Sequence, residues 1–152
     1  MAVVGLTPSQ QASVDKLVNS GRLEVVVADP QRAASFLARA SDAISDVQRL
    51  QHLHTAYSVA YDACHDVGEA ALAAYGYRTK TGAGQHEALG RFLQAVFDTP
   101  PGDAAARTFD KLRRARNANR YEARPVGKAQ VTAAKESAQA LLEAATARGV
   151  GT

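Results

Sequence analysis

Apolar positions along the chain recur mostly every three or four residues, the spacing of a helix with one buried face. Ala33, Phe36, Leu37, Ala40, Ile44 and Val47 form one such stripe, and Leu53, Tyr57, Ala60, Cys64, Val67, Ala71 and Ala74 form a longer one. Leu89, Phe92, Leu93 and Val96 follow, and near the end Val131, Ala134, Ala138, Leu141 and Ala145. Punctuation separates the stripes. Thr7-Pro8 and Asp29-Pro30 each read as an N-cap followed by the first helical residue. The glycines of "RTKTGAG" and the prolines of "DTPPGD" are breaks, and Pro125 and Gly127 close the next segment. The expected helices cover about Pro8 to Asn19, Asp29 onward to Val47, His52 to Tyr77, Gln85 to Phe97, a basic helix capped by Asp103, and Lys128 to Arg148. The run "LEVVV" at Leu23 to Val27 is short and has no second strand-like run to pair with, so it reads as a helical turn or an extended connector.

These elements predict an all-α fold, an up-down antiparallel bundle of four or five helices. Its expected organisation is an N-terminal helix and connector over 1–28, the bundle over 29–148 and a frayed tail over 149–152. Composition agrees with a packed core, since 46% of the 152 residues are hydrophobic and alanine, the best helix former, is abundant. No apolar run approaches the roughly 20 residues a membrane helix needs. The start, "MAVVGLTPSQQ", lacks a basic region followed by an apolar core. The single cysteine, Cys64, excludes an internal disulfide and any multi-cysteine zinc site, and it lies on an apolar stripe. The expectation is a cytoplasmic protein with no membrane partner and no cofactor.

Charge changes the picture at one place. The net charge is +3, yet the segment from Arg107 to Lys128 holds eight basic residues against Asp110 and Glu122. Within "KLRRARNANRYEARP" the apolar stripe of the basic helix runs Ala105, Phe109, Leu112 and then continues to Arg116 and Asn119. A guanidinium on the core-facing stripe must be paired or must line a wet cleft. Arg116 therefore reads either as a structural arginine, bonding carbonyls or an acid on another helix, or as a cleft arginine contacting phosphate. Arg113, Arg114, Arg120 and Arg124 lie beside the stripe, and such a patch attracts phosphates or simply solvates a face.

The segment "RNANRY", Arg116 to Tyr121, resembles the motif of the HEPN superfamily (higher eukaryotes and prokaryotes nucleotide-binding): an arginine, a polar residue and, after a short spacer, a histidine near the end of a bundle helix. The stretch from Ala56 to Leu93, with its long helix, glycine-rich turn and "GQH" helix start, is similar to prokaryotic HEPN proteins, and the likeness covers about Ala56 to Ala145. The resemblance implies a homodimer whose motifs face each other across a cleft. It further implies a metal-independent endoribonuclease, a toxin or defence nuclease with a cognate antitoxin such as a nucleotidyltransferase-like protein. Other members of that superfamily bind RNA, a nucleotide or a partner protein without catalysis. By this likeness Arg116 would hold the scissile phosphate and Asn117 would orient substrate, while Tyr121 stands where the family has histidine. A histidine trades protons at neutral pH, whereas a tyrosine hydroxyl does so only if its environment lowers its pKa of about 10. Positions 116 and 121 are also about 140° apart on an ideal helix and converge only if the helix loosens near Pro125.

Further candidates are Arg113, Arg120 and Arg124 as substrate-binding groups, and His86 as a substitute acid/base or a solvated helix-start residue. Asp62, Asp66 and Glu69 share one face of the long helix, either as a solvated acidic face or as partners for Arg116 or for a basic surface. His52 and His54 are expected on different sides of a helix, His65 lacks a zincin-type partner, and Tyr57, Tyr61, Tyr75 and Tyr77 read as core or dimer packing. A purely structural helical protein whose basic patch serves solubility is the remaining alternative.

Overall fold

The computed structural model describes residues 2–152 and forms an all-α helical bundle with one small two-stranded sheet. In chain order the elements are α1 (Pro8–Asn19), β1 (Leu23–Val25), α2 (Pro30–Val47), α3 (Leu53–Tyr75), β2 (Tyr77–Thr79), α4 (Gln85–Val96), α5 (Gly102–Glu122) and α6 (Lys128–Ala147). The two cap-plus-proline signals act as expected: the Thr7 and Asp29 side chains accept from the backbone N–H groups of Gln10 and Arg32. Asp103 does not cap α5. It lies in the first turn and accepts from Arg107 at 3.2 Å.

The long helix α3 is the centre of the bundle and packs against α2, α4, α5 and α6. Its second half is buried all round, with every residue from Ala70 to Ala74 inside, which is the signature of a core helix. Small residues make the close approaches possible. A Cβ on Gly68 of α3 would lie 2.8 Å from Leu89 of α4, and one on Gly90 of α4 would lie 3.0 Å from Phe109 of α5. These two contacts draw the N-terminal turns of α4 and the middle of α5 toward the same stretch of α3.

Three expectations are corrected. The run at Leu23 is a strand, and its partner is the segment read as the end of the long helix: Leu23 pairs with Thr79 and Val25 with Tyr77, antiparallel. The helix stops at Tyr75 because Gly76 takes a left-handed φ of 82°, which turns the chain into β2. The last residues are not frayed. Val150 is 2% exposed, Gly151 packs on Leu37 and Ala34 of α2, and the Val4 N–H donates to the Arg148 carbonyl at 2.7 Å. The N-terminal helix joins the bundle: α1 packs on α4, and its buried Gln10 donates to Asp98 at 2.8 Å and to the Val96 carbonyl at 3.2 Å.

Candidate functional site

The stripe of α5 turns polar where the sequence says it should. Ala105, Phe109 and Leu112 are buried, and the next residue inward, Arg116, keeps only 16% of its side chain exposed. Its guanidinium carbon lies 5.2 Å from the centroid of the Tyr61 ring, within cation–π range, and Nη2 lies 3.9 Å from Asp62 Oδ1. That separation is too long for a hydrogen bond. Arg116 Nε is fully buried without any hydrogen-bond partner, the one such side-chain nitrogen or oxygen among the described residues. Asn119, the next position on the stripe, donates to the His54 carbonyl at 3.2 Å and ties α5 to the start of α3.

Arg116, Arg113, Asn117 and Tyr121 of α5 face Gln85, His86 and Glu87 of α4, with Gly82 and Gly84 at the edge, around a cleft of about 560 Å³. Arg113 is held in place by Asp110, which accepts from its Nη2 at 2.7 Å and its Nε at 3.1 Å. The bond to Arg113 keeps the Asp110 carboxyl below the usual range, with Arg114 adding to the effect. His86 is in the first turn of α4 and reaches inward, so it is not a solvated helix-start residue. Its Nδ1 lies 2.6 Å from the hydroxyl oxygen of Tyr61, and the two ring planes are within 8° of each other. Burial lowers the His86 pKa, and the charges of Arg116 and Arg113 lower it further while Asp62 opposes them. His86 is therefore neutral at pH 7.

Two members of this cluster were not singled out as site residues in the sequence. Tyr61 is fully buried against Phe109, with centroids 5.4 Å apart, and its burial raises the hydroxyl pKa despite nearby Arg116 and Arg113. His65 has its ring centroid 4.7 Å from that of His86, and its pKa is lowered to about 4, first by burial and then by His86 and Arg116. Glu69 Oε1 stands 3.9 Å from His65 Nε2, but a neutral imidazole at that distance makes no ion pair. The signal that would have found both is the row Tyr57, Tyr61, His65, a polar-tipped ring every four residues on one side of α3.

The remaining candidates are dispersed. Tyr121 is 75% exposed at the rim, and α5 stays helical through Glu122, so the helix does not loosen to swing it toward Arg116. Arg120 lies over the Tyr121 ring at 6.0 Å. Arg124 pairs with Glu122 at 2.8 Å and lines a separate groove with His52, His54 and Pro125. His52 and His54 stack at 5.8 Å rather than diverging, because His52 is the extended N-cap of α3 and not part of the helix. The acidic face of α3 meets α2, where Arg39 Nε lies 3.9 Å from Asp66. Burial raises the pKa of Asp62, Asp66 and Glu69. Cys64 is core, its thiol pushed up to about 12 by burial. Among the described residues no group of three or more His, Cys, Asp or Glu side chains is placed to hold a metal ion, and no helix is long and apolar enough to cross a membrane.

The site thus offers fixed positive charge, a neutral imidazole and an unsatisfied buried N–H beside one cleft. No family model matches the chain, and no curated protein or solved structure does either.

Proposed function

We propose that the cleft between α4 and α5 is the active site of a HEPN-type endoribonuclease that cleaves RNA without a resident metal. The observation that carries this reading is Arg116: a guanidinium drawn into the bundle whose Nε has no partner among the described residues. A buried unsatisfied donor is costly, so holding the guanidinium there weakens the fold, and the 16% of the side chain left exposed is what a ligand oxygen in the cleft would meet. A phosphate brings both the negative charge and the acceptor oxygens that guanidinium geometry suits. Arg113 adds charge to the same cleft, and Asn117 offers an amide to orient the substrate.

In the reaction, the RNA's 2′-oxygen attacks the phosphorus as its proton leaves, and the bond from phosphorus to the 5′-oxygen breaks as that oxygen gains a proton. The products are a 2′,3′-cyclic phosphate and a free 5′-hydroxyl. Arg116 stabilises the charge that builds on the phosphoryl oxygens. Tyr121 at the rim would exchange a proton with the reacting oxygens, and His86 faces the same cleft as a hydrogen-bonding group. The protein would work in the cytoplasm as the toxin-like half of a toxin–antitoxin or defence pair, with two copies apposing their clefts and a cognate antitoxin, nucleotidyltransferase-like or other, restraining them. Incubating the purified protein with RNA in EDTA tests this. Cleavage that disappears in Arg116→Ala is expected, and intact RNA with the wild type overturns the catalytic reading.

One observation favours a second reading, in which the domain binds RNA, a nucleotide or a partner protein without cutting. Tyr121, standing where a catalytic histidine would be expected, projects into solvent. That reading predicts salt-sensitive RNA binding, weakened by Arg116→Ala and Arg120→Ala, with no product formed.

A further inference from the structure

We infer that Tyr61 is a positioning residue that holds His86 in the tautomer with its hydrogen on Nε2, so that the neutral ring meets a phosphoryl oxygen as a hydrogen-bond donor. This rests on the reading of the cleft as a phosphate site and goes one step further, to how a second group in it recognises the anion.

Tyr61 is fully buried, and the single hydrogen-bond partner of its hydroxyl is His86 Nδ1, at 2.6 Å. A phenol has one hydrogen to donate, and a neutral imidazole has one nitrogen that donates and one that accepts. If Nδ1 carried the hydrogen, the phenolic hydrogen would point into the core with no acceptor. If the phenol donates to Nδ1, every buried hydrogen is used, and the imidazole hydrogen moves to Nε2. The surroundings favour the neutral ring: Arg113 and Arg116 of α5 face it, as do Tyr61 and neutral His65 of α3, with Asp62 the one opposing charge among the groups that act on it. Burial keeps the Tyr61 hydroxyl protonated and so able to donate.

Among the described residues His86 Nε2 has no partner and is not a buried orphan, so it is open to solvent, on a side chain that lines the cleft. An N–H there adds a directed donor beside the Arg116 and Arg113 guanidiniums, suited to a phosphodiester oxygen. In this state Nε2 cannot accept a proton. The ring enters the proposed reaction as a donor, and the acceptor of the 2′-hydroxyl proton must come from elsewhere in the cleft.

Long-range proton–nitrogen NMR of the ¹⁵N-labelled wild-type protein at pH 7 reads the tautomer directly, with no RNA present. A protonated Nε2 and a bare Nδ1 on His86 are expected; a protonated Nδ1 overturns the inference. Tyr61→Phe keeps the ring and removes only the hydroxyl, and it should shift His86 to a mixture of tautomers. Binding is then read with a labelled 2′-O-methyl RNA oligonucleotide, which cannot be cleaved by 2′-oxygen attack. His86→Gln keeps an N–H near the Nε2 position and should bind within about threefold of wild type, whereas His86→Ala should bind about tenfold more weakly, in line with the loss of one hydrogen bond to a charged group. Equal weakening in both variants overturns the donor role. A protonated Nε2 in a protein that fails to bind the oligonucleotide at all overturns the phosphate reading instead, and the two failures are thereby distinguished.

Discussion

The Arg116 guanidinium lies over the face of the Tyr61 ring, 5.2 Å from its centroid, while the hydroxyl of that ring meets His86. One aromatic side chain on the central helix thus supports two of the polar groups that line the cleft. It supports Arg116 through its π-face and His86 Nδ1 through its hydroxyl.

A buried donor without a partner weakens the fold, so function and stability are expected to conflict at position 116. Arg116→Met removes the orphaned Nε and fills the space with a flexible apolar chain. The variant should be as stable as wild type or more so, by up to about 1–3 kcal/mol in urea unfolding. RNA binding should fall at least tenfold, with the slope of binding against salt reduced by about one contact. A large loss of stability would mean that Arg116 is a structural pair for Asp62.

His65 should make the protein lose stability as the pH falls below neutral. Its pKa is about 4 in the fold against 6.5 for the free side chain. Between those values the unfolded chain binds a proton that the folded one does not, so stability falls as pH drops from about 6.5 toward 4. By pH 4.5 the loss from His65 should reach about 2–3 kcal/mol. His86, also lowered, adds in the same direction, and Asp62, Asp66 and Glu69, whose pKa values are raised, oppose it. Comparing wild type with His65→Gln by urea unfolding at pH 7 and 4.5 isolates the effect, and an equal drop in both proteins would refute it.

Tyr121→Phe should separate chemistry from fold. At 75% exposure the hydroxyl contributes little to stability, and unfolding should shift by no more than about 0.5 kcal/mol. If Tyr121 exchanges a proton in the reaction, cleavage falls by about a hundredfold or more with binding unchanged. Undiminished cleavage would remove Tyr121 from the chemistry. Cleavage gained only in Tyr121→His would make the native protein a binder.

Gly76→Ala should loosen the junction of α3 with the small sheet. The backbone there has φ of 82°, and a Cβ would sit 2.8 Å from the Val26 carbonyl oxygen. The left-handed conformation alone costs an alanine about 1–2 kcal/mol, and the clash adds to it. A thermal midpoint lower by several degrees is the expected readout.

The helices could be read from the chain because their signals are local. Caps at Thr7 and Asp29, breaks at "DTPPGD" and stripes three or four residues apart each involve neighbours in sequence. The inward turn of Arg116 was legible for the same reason, since it follows from the Phe109–Leu112 spacing. Errors gathered where a partner is distant. The strand at Leu23 needs Thr79, and the burial of Val150 comes with contacts from its neighbour Gly151 to residues on α2.

Periodicity along the chain sufficed for an all-α bundle and for one arginine set apart from its basic neighbours. The make-up of the cleft was decided only in three dimensions. Tyr61 and Arg116 lie on α3 and α5, and His86 joins them because Gly68 and Gly90 let α4 settle closely against both. The hydrogen bond and the cation–π contact they form depend on distances of a few ångströms between helices, and those distances come from packing, which no spacing within a single helix encodes.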